Sequence, residues 1–404
     1  MSVLVVNAGS SSVKYALVDP HGDGPATVLA HGVVERVGSG AATLRHVVDG
    51  DSHEGAVAAA DHTQALVAVA DAFAAHGPDV RADLQAVGHR VVHGGESFSG
   101  PVVVDEAVLA EVERLSVLAP LHNPVNVAGI RAAQERFGDV PHVAVFDTAF
   151  HADLPDVART YAVPRRWREE HGVRRYGFHG TSHAYVSRTA AAWLTRERGV
   201  DPAASRVVVL HLGNGASACA VLGGRSIDTS MGLTPLAGLV MGTRSGDVDP
   251  ALAGHLHRVA DLTGDVVEEQ LNRASGLLGL TGESDLRDVR RLARAGDAAA
   301  AGALELYAYR IRSFVGAYAV ALGGLDAVVL TAGVGEHDVD MRASVLDGLE
   351  VLGVRLDVDR NGAVTPAGPP VQPVSRDDSA VAALVVPTDE EGEIARQAVE
   401  LLTG

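Results

Sequence analysis

Apolar residues along this chain fall into short runs, separated by stretches rich in glycine and small polar side chains. Residues 3–6 (Val-Leu-Val-Val) read as a buried strand, 7–12 as a turn and 13–18 as a second strand. Leu109, Val112, Leu115 and Leu118 recur at helical spacing behind Asp105, which predicts a helix capped by that aspartate. Residues 143–146 form a strand pattern that ends at Asp147. A long helix is predicted over 301–322, followed by a strand over 327–330. The end of the chain repeats the theme, with a strand over 381–386, then Pro387 and a last helix from about Thr388. Strands alternating with helices in this way predict an α/β fold.

The pattern also echoes itself. The strand 3–6, the turn Asn-Ala-Gly-Ser-Ser-Ser and a second strand are matched near 207. There an apolar strand leads into His-Leu-Gly-Asn-Gly-Ala-Ser and another strand. A duplicated hairpin whose turns face each other is one way to clamp a nucleotide's phosphates; two unrelated hairpins are the alternative. Residues 154–167 read as irregular, with two prolines and a cluster of Arg and Trp, and 366–373 as a loop.

Composition narrows the function. A chain of 404 residues exceeds one ordinary core, so two domains are expected. With 47% hydrophobic and 21% charged residues it has the makings of a folded core rather than a disordered chain. The net charge of −18 argues against nucleic acid or an anionic membrane as partner. Any anionic substrate must then meet a few cations gathered in one place. Cys219 is the only cysteine, which excludes an intramolecular disulfide framework and suits a reducing compartment. The N-terminus lacks a basic region and a long apolar segment, so a soluble, cytoplasmic protein is expected. Lys14 is the only lysine, every other one of the 33 basic residues being arginine. It sits in the first glycine–serine turn, where folding or a phosphate could use it.

Familiar nucleotide motifs are absent. No G-x-x-x-x-G-K-[ST] occurs, and no G-x-G-x-x-G leads from a strand into a helix. His179 and His183 are spaced i, i+4 but lack the glutamate of a zinc protease. Instead, three turns dense in small residues follow apolar strands: Asn7 to Lys14, His211 to Gly215, and Gly333 to Glu336. Such turns expose backbone N–H groups to which a phosphate can come close. Two arginines, Arg90 and Arg244, stand among glycines and small polar residues rather than on helix faces. Their planar forks match carboxylate and phosphate oxygens two at a time.

Together, segments 7–14, 89–95, 121–124, 147–150, 176–183, 211–215, 228–235, 241–250, 284–288, 333–336 and 387–391 resemble the acetate kinase (acetokinase) family. This family belongs to the acetate and sugar kinase/Hsp70/actin superfamily. Tyr-Gly-Phe-His-Gly-Thr-Ser-His and Met-Gly-Thr-Arg-Ser-Gly-Asp-Val-Asp-Pro are the most specific stretches, and the likeness runs from first strand to last helix. The resemblance implies two α/β domains of duplicated ribonuclease-H-like, actin-like ATPase topology with an interdomain active-site cleft. It implies a first domain of 1–150 plus a returning helix at 388–404, and a nucleotide-binding domain of 151–387. A homodimer is also implied.

The same resemblance implies direct in-line phosphoryl transfer between ATP and the carboxylate of acetate, giving acetyl phosphate and ADP. Positioning and charge neutralisation are the main tasks in such a reaction. Arg90 and Arg244 are expected to hold the carboxylate and the transferring phosphoryl group, and His179 to donate a hydrogen bond to the latter. Asn7 and Glu390 match the family's Mg2+ ligands (Mn2+ as substitute), and Asp147 is expected to orient an arginine and support the metal. Val92, Leu121, Phe178 and Pro235 match the pocket for the acyl methyl. The ATP side resembles His211, Leu212, Gly213, Asn214 and Gly215, with Asp285, Leu286, Arg287, Gly333, Val334, Gly335, Glu336 and His337 around the nucleotide, and Lys14 near phosphate. Two positions depart from the family: His337 stands where asparagine is common, and Ala237 where glutamate is common. The first bears on contacts to the base. The competing expectations are a propionate or other short-chain acyl kinase, an actin- or Hsp70-like switch ATPase, and a sugar kinase. A sugar kinase would need an aspartate base and a larger polar pocket.

Overall fold

A computed structural model describes residues 2–20 and 26–404, and the chain divides into two units. One comprises the residues up to Ala152 together with Asp389–Gly404, and the other Asp153–Thr388.

The first unit is built on an eight-stranded sheet. Its strands are β1 (Ser2–Ala8), β2 (Ser12–Asp19), β3 (Thr27–Glu35), β4 (Thr43–Val48), β5 (Asp51–Ala56), β6 (Leu84–Val91), β7 (Val102–Val103) and β8 (His142–Phe146). They lie in the order β5-β4-β3-β2-β1-β6-β8-β7. β1, β6 and β8 run parallel, and the remaining pairs are antiparallel. The centre of β1, residues 3–6, is an unbroken apolar run because both its faces are covered. Leu4 and Val6 join a core with Leu66, Val69 and Phe73 of the helix His62–His76. Val3 and Val5 face Ile394, Ala395 and Ala398 of the helix Glu390–Thr403, which comes from the far end of the chain. Burying Ile394 alone stabilises by about 1.5–3 kcal/mol. The approach is close: a methyl group at Gly88 of β6 would lie 2.8 Å from Ile394 Cγ2, so only glycine fits there without a shift. This helix begins at Glu390, with Asp389 accepting from Gly392 N as its cap, rather than at Thr388. Its acidic first turn suits the positive end of the helix dipole.

The second unit carries β9 (Arg206–Leu212), β10 (Ala216–Leu222), β11 (Arg225–Thr229), β12 (Ala327–Thr331), β13 (Gln372–Pro373) and β14 (Ala382–Val385). Their order is β11-β10-β9-β12-β14-β13, with β9, β12 and β14 parallel. Counting strands from the start of each common core, both sheets read 3-2-1-4-5: β3-β2-β1-β6-β8 and β11-β10-β9-β12-β14. The sequence echo is therefore a repeated topology, in which each unit opens with an antiparallel hairpin and then adds two parallel strands. The helix Gly180–Arg198 packs on β9 and β12, and Ala298–Ala321 on β9, β10 and β11.

Several local expectations change. The first turn is confined to residues 9–11, because Asn7 and Ala8 still pair with Lys14 and Val13. Lys14 thus sits in β2, not in the glycine–serine turn. Residues 154–167 are not wholly irregular, since short helices occupy Asp156–Arg159 and begin at Arg165. The third small-residue segment, Gly333 to Glu336, is not a turn. It lies in the short helix Ala332–His337 that follows β12 directly. Among the described residues, no helix is long and apolar enough to cross a membrane.

Candidate active site

In the first unit the candidate residues cluster at the carboxyl ends of the parallel strands, where open α/β sheets commonly place ligands. Arg90 is the penultimate residue of β6, and Asp147 follows β8 directly. Because β6 and β8 are neighbours, the two side chains meet as a bidentate pair: Nε donates to Oδ1 at 2.8 Å and Nη2 to Oδ2 at 2.6 Å. Asp147 is 2% exposed and Arg90 23%. Asp147 holds the Arg90 guanidinium firmly charged, against the opposing effect of burial, with Glu390 and Glu391 adding to the field. Two of the three guanidinium nitrogens are occupied, which fixes the plane. Nη1 donates to no described protein atom.

Val92, two residues on, is half-buried, and its backbone N donates to Asn126 Oδ1, whose own Nδ2 donates to Ala8 O. Asn123 similarly brackets His93, accepting from its N and donating to its carbonyl. Both asparagines are buried on the helix Asn123–Phe137 and fasten the Arg90–His93 segment; neither was singled out from the sequence. Leu121, just before that helix, is 58% exposed. Asn7 is half-buried in β1, opposite Lys14, and Glu390 opens the last helix. Burial raises the Glu391 carboxyl, with Glu390, Asp389 and Lys14 among the neighbouring charges.

The donors available for a divalent ion here are oxygens: the Asn7 amide and the carboxylates of Glu390 and Asp147. No group of three or more His, Cys, Asp or Glu spaced to hold a metal occurs among the described residues. An ion in this place would draw most ligands from phosphate and water, which is the habit of Mg2+. Both Asp147 oxygens already accept from Arg90, so Asp147 suits a contact through water better than direct ligation.

In the second unit His179 precedes the helix Gly180–Arg198, in the left-handed region at φ 58°. Its Nδ1 lies 2.9 Å from Ser217 Oγ, and its ring stacks on His211 at 4.2 Å. Phe178 is fully buried beside it. Arg244 comes from an irregular loop and is half-buried. Its Nη1 donates to Pro235 O at 3.2 Å and approaches Met241 Sδ at 3.8 Å. Unlike Arg90 it has no ion pair with a carboxylate among the described residues, and burial lowers its pKa. Arg244 and His179 converge on one spot: a methyl group on Gly215 would lie 3.5 Å from Arg244 Nη1 and 3.6 Å from His179 Nε2. Two donors thus flank a glycine of the hairpin turn between β9 and β10.

A cavity of about 910 Å³ opens beside that turn. Gly213, Asn214, Asp285, Leu286, Arg287, Gly333, Val334 and His337 line it. His211 and Leu212 lie on β9, Gly335 is buried against Leu330, and none of the three lines the cavity. Glu336 also turns away: its Oε1 accepts from the backbone N of Ala332 (2.8 Å) and of Thr388 (3.0 Å). This holds Ala332 at φ 62°, a left-handed conformation that costs an alanine about 1–3 kcal/mol. Asp285 caps the helix Leu286–Arg294 and pairs with Arg287, which brings its carboxyl down to about 2.

Sequence reading missed the far wall. Arg290 is held by both oxygens of Asp338 at 2.6 Å, and Arg294 by Asp340 at 2.9 Å. Arg287, Arg290, Arg291 and Arg294 follow i, i+3, i+4, i+7, a one-face spacing that was there to be found. Behind the cavity, Arg342 is 1% exposed and caps the carbonyls of Gly335 and Glu336. Ala237, the other departure, lies half-buried beside Gly232.

Known proteins bear on this arrangement. The family model described as the Acetokinase family matches residues 2–396. An acetate kinase of Leifsonia xyli subsp. xyli is 56% identical over 400 residues, covering 99% of this chain and 98% of the relative. The crystal structure of Porphyromonas gingivalis acetate kinase superposes with a TM-score of 0.92 at 40% identity over the whole of both chains. That of a propionate kinase from Francisella tularensis subsp. tularensis does so with 0.90 at 37% identity over 98% of each. With a fold repeated in both sheets, Arg90 and Asp147 at the strand ends of the first, Arg244 and His179 beside the hairpin turn of the second and a match along nearly its whole length, the chain belongs to the acetokinase family.

Proposed function

We propose that this protein transfers the terminal phosphoryl group of MgATP to the carboxylate of acetate, reversibly. A carboxylate oxygen attacks the γ-phosphorus, the bond to the β–γ bridging oxygen breaks, and ADP leaves with that oxygen. The acceptor is already an anion, so no general base is needed. The observation that carries the reading is Arg244: a half-buried guanidinium with no carboxylate partner among the described residues, beside His179 Nε2 and over a glycine turn. A cation left uncompensated in this way is suited to an anion that arrives with the substrate.

On this reading Arg244 and His179 donate to the equatorial oxygens of the transferring group. Arg90, its plane fixed by Asp147, directs Nη1 at the acetate carboxylate. Mg2+, with Mn2+ as a substitute, would be held by Asn7 and Glu390 and would neutralise phosphate charge when bound. The 910 Å³ cavity suits the nucleoside, with Gly213 and Asn214 toward the phosphates and Asp285, Arg287, Gly333 and His337 around the sugar and base. Val92, Leu121, Phe178 and Pro235 are assigned to the methyl pocket, and Lys14 to the phosphate side. A cytoplasmic homodimer with domains of 1–150 plus 388–404 and 151–387 completes the proposal.

A second reading, a propionate kinase, is favoured by the Francisella relative of that name. One methylene changes selectivity by only about 1–3 kcal/mol. Trapping acyl phosphate with hydroxylamine in the presence of MgATP and acetate, propionate or butyrate separates the two. Acetate leading by kcat/KM supports the proposal, and propionate leading transfers it to the second reading. No acyl phosphate from any acid overturns both.

A further inference from the structure

Two buried hydroxyl groups stand behind the two stacked histidines. Ser217 Oγ, on β10, lies 2.9 Å from His179 Nδ1 and 2.7 Å from His183 Nε2. Ser182 Oγ, on the helix Gly180–Arg198, lies 2.7 Å from His211 Nδ1 and accepts from Thr388 Oγ1 at 2.9 Å. Ser182, His183 and Ser217 have no exposed surface. The local pattern produces this: Ser182 and His183 lie in the first turn of the helix, three and four residues after His179, and Ser217 is paired directly with His211 across the hairpin. Each histidine near the phosphate turn therefore has its Nδ1 against a serine hydroxyl. Each directs Nε2 at the turn: a methyl on Gly215 would lie 3.6 Å from His179 Nε2, and one on Gly213 3.9 Å from His211 Nε2.

A hydroxyl has one proton to give, so the chain of donors has a direction. Thr388 donates to Ser182, which leaves the Ser182 proton for His211 Nδ1. At Ser217 the crowding of rings narrows the choice to neutral arrangements. His179, His183 and His211 have centroids 4.2–6.4 Å apart, and Arg244 adds a charge beside them. An imidazolium added to that group meets like charge at short range in a buried place. With neutral rings Ser217 gives its one proton to one of the two nitrogens, and the arrangement in which His183 Nε2–H donates to Ser217 and the Ser217 proton goes to His179 Nδ1 is the one that leaves an Nε2–H on His179 facing the turn. We propose that Ser217 and Ser182 are positioning residues: two separate hydroxyl relays hold His179 and His211 as neutral Nε2–H tautomers aimed at the phosphate turn. This rests on the assignment of that turn and of His179 to phosphoryl transfer. Without the relays each ring could place its proton on the wrong nitrogen and present a lone pair to an anion.

The test uses the full chain labelled with 15N at histidine, with His179 and His211 assigned by His179→Gln and His211→Gln. Ring 15N spectra of the wild type are expected to show both residues with protonated Nε2 and bare Nδ1. Ser217→Ala is expected to mix the tautomers at His179 alone, and Ser182→Ala at His211 alone, so each variant is a control for the other. Loss of one such hydrogen bond should lower kcat for acyl phosphate formation about tenfold while the KM for acetate stays within about twofold. A wild-type imidazolium or Nδ1–H tautomer at His179, or a spectrum unchanged in Ser217→Ala, overturns the inference. A mixed tautomer with unchanged kcat also overturns it, because orientation would then have no bearing on transfer. A wild-type protein that shows the expected tautomers but forms no acyl phosphate locates the failure in the functional assignment instead.

Discussion

Arg90 and Arg244 are assigned neighbouring tasks, yet replacing each with methionine should move stability in opposite directions. Arg90→Met strands Asp147, a carboxylate 2% exposed whose two oxygens both accept from the lost side chain. Breaking a fully buried pair costs about 3–5 kcal/mol, and discounting for the 23% exposure of Arg90 leaves roughly 2–3 kcal/mol. Arg244→Met removes a cation with no carboxylate partner among the described residues. It gives up a hydrogen bond to the Pro235 carbonyl, about 1.5–3 kcal/mol from a charged donor, and regains a desolvation penalty of several kcal/mol. The net effect is roughly zero to 1 kcal/mol of stabilisation. The units can be followed separately, because both tryptophans, Trp167 and Trp193, lie in the second one. Urea titration by tryptophan fluorescence reports that unit, and far-ultraviolet circular dichroism reports both. Arg90→Met should lower a circular-dichroism midpoint and spare the fluorescence one; Arg244→Met should leave the fluorescence midpoint level or raise it. Both should cut kcat in the hydroxamate assay by about 100- to 1000-fold, the usual cost of losing one donor to developing charge. A fluorescence midpoint lowered in Arg244→Met by as much as 2 kcal/mol would refute the idea of an uncompensated cation. Turnover within tenfold of wild type in either folded variant would remove that arginine from the chemistry.

Three further outcomes are expected. Burial depresses the pKa of His89 and of its hydrogen-bonded neighbour His142, whose other nitrogen donates to Phe137 O, so the folded state binds fewer protons there than the unfolded state. Their contribution is complete above about pH 6.5 and is lost as pH falls, by about 1.4 kcal/mol per group per pH unit. His89→Gln, which keeps a donor toward His142, should flatten the pH dependence of the circular-dichroism midpoint between pH 6.5 and 5; an unchanged slope would contradict the assignment. Gly88→Ala should destabilise the first unit by about 1–3 kcal/mol through overpacking against Ile394. The double variant with Ile394→Ala should be less destabilised than the sum of the two single changes, and strict additivity would count against the contact. Val92→Ala should improve propionate relative to acetate by up to about tenfold, and an unchanged ratio would place the pocket wall elsewhere.

Much of the framework was legible because both sheets are covered on two faces, which makes the central residues of β1, β9, β12 and β14 unbroken apolar runs. β3, β4 and β5 were harder to see. They lie toward one edge of the first sheet, and β5 is polar and largely exposed, so burial writes little pattern there. The segment Gly333 to Glu336 looked like a turn because glycines signal one. Ala332 instead takes the left-handed conformation, fastened by the Glu336 carboxylate, and the glycines begin a helix. At the site, single residues in small-residue loops could be picked out, but their partners could not. Arg90 with Asp147 and Arg290 with Asp338 are far apart in the chain and meet only through strand and helix packing. Ser182 and His183 stood in plain view within His-Gly-Thr-Ser-His, and helical spacing would have put them behind His179.

The helix Glu390–Thr403 gives the chain an order of assembly as it leaves the ribosome. Residues 153–388 are contiguous and include every strand of the second sheet, so that unit can consolidate once Thr388 has emerged. The sheet made first cannot finish. Val3, Val5, Ala86, Val143 and Val145 wait for Ile394, Ala395 and Ala398. At the slow pace of translation, roughly 5–20 residues per second, almost 250 residues separate β8 from its cover, an interval of about 10–50 s. Throughout that time the first sheet presents an apolar face to whatever binds such surfaces, and the emergence of residues 389–404 decides when it closes.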